Sequence, residues 1–191
     1  EGSEKPRTVT IPKAGLYQAD VFLQRPAHAV AAADASELGR GLVGAWELDG
    51  NARSSPPRKE LEGRLVGGAK FVESPFGDGR AVEFDGRDAA VVVPRHKAMN
   101  VGSGAFTVAA WIRPAELRQG GIVCLGKYGW KHGWYLDMPN NQGVLRIETV
   151  NPENRPNGTV QSRPGAVRVN QWQHVAAVVR RGENQTRLFI N

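Results

Sequence analysis

From Gly41 onward the chain has a rhythm that few folds can accommodate. Short runs rich in Val, Ile, Phe and Trp are separated by clusters of Gly, Pro, Asn and Asp at intervals of about ten residues. No segment keeps an amphipathic helical period over three turns, so helix content should be low. Strands are expected at Leu42–Leu48, Ala69–Phe71, Ala81–Phe84, Ala89–Val93, Phe106–Arg113, Gly121–Gly126, Trp134–Met138, Val144–Thr149, Thr159–Ser162, Trp172–Arg180 and Thr186–Asn191. Regularly spaced short strands with turn signals between them predict an all-β, two-sheet antiparallel sandwich. Two runs, FTVAAWIRP and WQHVAAVVRR, are apolar at both strand parities and read as central strands covered on each side. Gly182-Glu183-Asn184-Gln185 supplies turn chemistry for a hairpin joining the last two strands. NPENRP, at Asn151–Pro156, belongs at an edge or a sheet end because its prolines cannot donate to a ladder.

Residues 1–40 have a different texture. TVTIPKAGLYQADVFLQRP offers one or two short strands around a turn, and the Ala-rich stretch Ala27–Ala35 follows. AHAVAAADAS has the small residues of a signal-peptidase site. The segment before it carries Asp20, Gln24 and Arg25 where an apolar core should lie, so it reads as a linker. We expect residues 1–40 to be a linker or the tail of an upstream module, residues 41–191 to be the main domain, and the chain to be a piece of something longer.

Lys and Arg exceed Asp and Glu by six. The excess is scattered singly or in pairs such as Arg58-Lys59 and Arg180-Arg181, without a stripe interleaved with stacking aromatics, so no specific nucleic-acid partner is expected. No apolar run approaches the roughly eighteen residues of a membrane span. The lone Cys124 sits in the apolar run GGIVCLG and reads as a small buried hydrophobe.

Two places offer carboxylates two residues apart: Glu47 and Asp49 in WELDG, and Glu83 and Asp85 in VEFDG. On a strand such pairs share a face about 6.7 Å apart, a spacing within reach of glycosidase chemistry. A third acid that would complete a glucanase array is missing from both. The histidines lie far apart without zinc-site spacing, and there is no G-x-S-x-G and no phosphate-binding Gly loop. His174 reads as a core or near-core histidine. Asp85 and Asp88 flank Gly86, which suits a D-G turn joining Ala81–Phe84 to Ala89–Val93 as a hairpin. The same acids are candidate calcium ligands at a strand end. Aromatic residues crowd KYGWKHGWY, where Tyr128 and Trp130 near the glycines are candidates to stack on a sugar face, Trp134 is a further candidate open to burial, and Arg146 on the next strand adds donors. The triplets at Asn157 and Asn184 match glycosylation acceptors only weakly.

The runs GLVGAWELDG, FGDGRAVEFDGRDAAVVVP, FTVAAWIRP, GGIVCLGKYG, GWYLDM, GVLRIETV and QWQHVAAVVRRGENQTRLFIN resemble, in order and spacing, the successive strands of a laminin G-like domain of the concanavalin A-like lectin/glucanase superfamily. The resemblance covers about residues 41–191 and implies a jelly roll. It also implies a non-catalytic module binding glycan or protein ligands in secreted or cell-surface proteins, often multidomain bacterial chains, with one calcium at the rim in some members. In that pattern Phe84 fills the core and Asp85 sits at the rim. Family members continue past a final I-N-G into further strands, so C-terminal strands are expected beyond Asn191.

Overall fold

The structure is a computed structural model that describes residues 20–22, 42–55, 57–74, 79–102, 104–127, 131–150, 156–180 and 183–191. Its described residues form fourteen strands and two three-residue 3-10 turns, at Lys59–Leu61 and Lys97–Met99. One four-stranded sheet has the order β1 (Asp20–Phe22), β8 (Phe106–Arg113), β13 (Gln173–Arg180), β14 (Gln185–Ile190). A second has the order β12 (Pro156–Gln161), β11 (Arg146–Val150), β10 (Lys131–Met138), β9 (Gly120–Lys127). Three antiparallel ribbons complete the fold: β2 (Ala45–Trp46) with β3 (Ser54–Ser55), β4 (Arg64–Val66) with β7 (Ala90–Val92), and β5 (Lys70–Glu73) with β6 (Arg80–Glu83).

The two runs that are apolar at both parities, β8 and β13, are neighbours inside the first sheet. In the middle of their ladder large inward side chains meet small ones, Val175 lying opposite Ala110 and Ala177 opposite Val108. These residues share one core with Val123, Trp134, Leu136, Met138 and Ile147 of the second sheet, and the core therefore lies between the sheets, as in a β-sandwich jelly roll. On the outer side of the first sheet the pair Ala109–Ala176 is also buried, and Trp111 packs on its cross-strand neighbour His174 with ring centroids 5.3 Å apart. The Trp46 indole, inside the GAW run, donates to the Leu61 carbonyl at 2.9 Å and ties the first ribbon to the 3-10 turn.

The β13–β14 hairpin forms with Arg180 opposite Gln185. β12, which opens at Pro156, is an edge strand, where a proline costs no ladder bond; the rest of the NPENRP stretch, residues 151–155, lies outside the described residues. The expected hairpin between Ala81–Phe84 and Ala89–Val93 does not form. β6 pairs with β5 and β7 pairs with β4, and the Asp85–Asp88 segment between them is wound around the Asp85 carboxylate rather than closing as a tight two-residue turn. β4 was not anticipated, and Asp20–Phe22, expected in a linker or upstream tail, enters the first sheet as β1.

Candidate functional site

The Asp85–Asp88 turn is built from its own backbone. Asp85 Oδ1 accepts the N–H of Arg87 at 2.9 Å and of Ala89 at 3.2 Å, and Gly86 takes a left-handed φ of 70°. The turn lies on the Gly67-Gly68 turn that joins β4 to β5. A side chain on Gly67, whose φ is +61°, would run into the Asp88 carbonyl, and one on Gly68 into the Asp85 carboxylate. The Arg87 N–H holds the Asp85 carboxyl below its ordinary value; partial desolvation opposes this, and the Ala89 and Asp88 amides reinforce it.

A calcium ion needs six to eight oxygens, and of the two acids considered for it Asp85 has its Oδ1 taken by the Arg87 and Ala89 amides. No group of three or more His, Cys, Asp or Glu side chains suited to a metal occurs among the described residues.

The paired carboxylates are separated by where their strands stop. β2 ends at Trp46, before Glu47, and β6 ends at Glu83, so in neither pair do both acids share a strand face. Glu83 is paired with Lys70 across the β5–β6 ribbon at 2.7 Å, and Asp49 Oδ1 accepts the Arg80 N–H at 2.6 Å.

Of the aromatic candidates, Tyr128 and Trp130 lie outside the described residues. Trp134 is no sugar platform. It has the same parity as Leu136 and Met138, is 6 % exposed, and packs on Phe106 with ring centroids 5.3 Å apart. Its indole Nε1 finds no acceptor among the described residues. Arg146 does not join it. Arg146 stands opposite Asp137 while Trp134 stands opposite Thr149, which puts the two on opposite faces of the second sheet.

The face that carries Arg146 is polar. Tyr135, Asp137, Arg146, Glu148, Thr159 and Gln161 share it by register across β10, β11 and β12. Arg146 grips Asp137 with both prongs of its guanidinium, Nε to Oδ1 at 2.9 Å and Nη2 to Oδ2 at 2.6 Å, and turns Nη1 to Glu148 Oε2 at 3.1 Å. Shielding deepens across the sheet. Thr159 and Gln161 are exposed, the Arg146 and Glu148 side chains are 20 % and 19 % exposed, and Asp137 is 0 % exposed. Cys124, opposite Tyr135 on β9, is buried, as a small hydrophobe would be; burial pushes its thiol well up, with the Asp137 charge adding to the shift.

Asp137 and Glu148 were not singled out from the sequence. The signals were a lone acid in the apolar run WYLDM, which requires a cation once buried, and the polar–apolar–polar alternation of Arg146-Ile147-Glu148.

A family model described as the concanavalin A-like lectin/glucanases superfamily matches residues 85–191. That span runs from the rim turn at Asp85 through both central strands and the whole polar face. No curated protein and no solved structure matches the chain.

Proposed function

This chain belongs to the concanavalin A-like lectin/glucanase superfamily, and from that membership we propose that it is a non-catalytic binding module of a larger secreted or surface-attached protein. Its ligand is a glycan, or in the second place a protein. The observation that carries this reading is the polar face of β10–β12. Arg146 and Glu148 are partly accessible there, and exposed Thr159 and Gln161 border them. Such a row offers donors and acceptors at strand spacing, the pattern that hydroxyl groups along a sugar can satisfy. A fold of this kind does not by itself decide between binding and turnover, and what favours binding is the use made of the carboxylates. Asp137 is sealed in an ion pair, Asp85 holds its own turn, and Glu83 pairs with Lys70.

A glycan array probed with the chain and with Gln161→Ala and Glu148→Gln tests the site. The expected result is saturable binding that either change weakens by about tenfold, corresponding to about 1.4 kcal/mol. Glycan binding that neither change alters would move the site off this face. Silence on glycan arrays and in protein pull-downs alike would make the module a spacer and overturn the proposal.

A further inference from the structure

The choice of glycan, which rests on the β10–β12 face being the binding site, is set there by charge. The chain as a whole carries a formal net charge of +6 and so attracts acidic polymers without selection. The face has the opposite sign. Across Tyr135–Asp137 of β10, Arg146–Val150 of β11 and Gly158–Gln161 of β12, the charged residues are Asp137, Arg146 and Glu148. Two carboxylates stand against one guanidinium, which leaves one negative charge. Asp137 tips this balance. It is wholly buried and takes Nε and Nη2 of Arg146, so the guanidinium comes to the surface with its charge already met. The uncompensated charge is then that of Glu148, whose side chain is 19 % exposed and whose Oε2 meets Arg146 Nη1 at 3.1 Å. Register supplies its neighbours. Exposed Thr159 stands opposite Glu148 and exposed Gln161 opposite Arg146, with about 5 Å between facing side chains and about 6.7 Å along each strand. A sugar lying on this array meets a carboxylate beside a hydroxyl and an amide. A carboxylated or sulfated sugar would bring a second negative charge toward Glu148.

We infer that the glycan held on this face is an amino sugar with its amino group free, and that Glu148 receives the ammonium. Thr159 and Gln161 take neighbouring hydroxyls, since both can donate and accept. The charge that draws the ammonium also turns away acidic sugars, so one residue supplies both the attraction and the exclusion.

The test titrates the full chain with oligomers of equal length built from glucosamine, glucose or galacturonic acid. It is run at about pH 5.5, where an amino group is protonated and a carboxyl ionised. The glucosamine oligomer should bind about threefold tighter than the glucose oligomer, the worth of one partly exposed charge pair, and the galacturonic acid oligomer weakest. Added salt should narrow the gap. Glu148→Gln should remove the preference for glucosamine over glucose, whereas Gln161→Ala should weaken both and keep their ratio. A glucosamine preference that survives Glu148→Gln would overturn the inference, because the ammonium would then lie elsewhere. A galacturonic acid oligomer that binds as tightly as the glucosamine one, and is weakened by Gln161→Ala, would also overturn it while leaving the face as a glycan site. Oligomer binding that neither Glu148→Gln nor Gln161→Ala alters, or no binding of any oligomer, would overturn the inference together with the reading of the face on which it rests.

Discussion

Replacing Arg146 with Met removes the cation that faces a wholly buried carboxylate. Asp137 has no exposed surface, and the guanidinium meets both of its oxygens, at 2.9 and 2.6 Å. Methionine keeps much of the side-chain volume, so the loss is electrostatic rather than a cavity. Breaking a buried pair from one side costs about 3–5 kcal/mol, because the remaining charge has lost its compensation. For a chain of this length each kcal/mol lowers Tm by roughly 2–4 °C, so a drop of about 6–20 °C is expected at neutral pH. The sign of the pH dependence follows. Without Arg146 the buried carboxylate binds a proton more readily in the folded chain than in the unfolded one, so the variant's deficit shrinks as pH falls. Adding Asp137→Asn to Arg146→Met should recover part of the loss, and Arg146→Lys should fall between Met and wild type because it keeps the charge without the fork. Thermal melts of these proteins from pH 5 to pH 8 provide the measurement. An Arg146→Met chain within about 1 kcal/mol of wild type at pH 7, with a deficit that does not change on acidification, would refute the ion-pair account.

Three further outcomes follow from the rim. Gly67→Ala should destabilise the chain by more than about 1 kcal/mol, since alanine is strained at φ +61° and its Cβ would meet the Asp88 carbonyl; denaturant unfolding measures it. Asp85 contributes stability that is present above its ordinary value of 3.8 and is lost as pH falls through its lower folded value. Asp85→Asn should therefore flatten the acid limb of a pH-stability curve below about pH 4. Chelation with EDTA should leave Tm unchanged and added calcium should not raise it, because Asp85 is already committed to its turn amides; a calcium-dependent rise in Tm would put an ion at this rim.

The sandwich was legible wherever one strand carried its own message. FTVAAWIRP and WQHVAAVVRR are apolar at both parities, and only central strands can bury both faces. The Asp85 turn was legible too, since an aspartate two residues before a backbone amide is local chemistry. Partners were not. Ala81–Phe84 and Ala89–Val93 look like a hairpin because they are adjacent, but pairing is decided by packing against β5 and β4, which one stretch of sequence does not contain. Trp134 shows the limit at the scale of a single residue. Trp134 shares parity with Leu136 and Met138, but the register of β10 against β9 shifts between Lys131 and Trp134, so the face of Trp134 does not carry over to the aromatics of KYGWKHGWY before that shift. Arg146 was found as a donor but its role was not. The carboxylates it serves lie one on the neighbouring strand and one two residues along its own strand, and the face they form exists only once register is known.

The central claim is that this module binds without turning its ligand over. A calorimetric titration of the chain with whichever array glycan it holds most tightly tests it most directly, because one trace reports both events. The account predicts a single saturable isotherm that returns to baseline after each injection, with the glycan recovered intact. A sustained heat of reaction with new reducing ends, abolished in Glu47→Gln or Glu83→Gln, would contradict it.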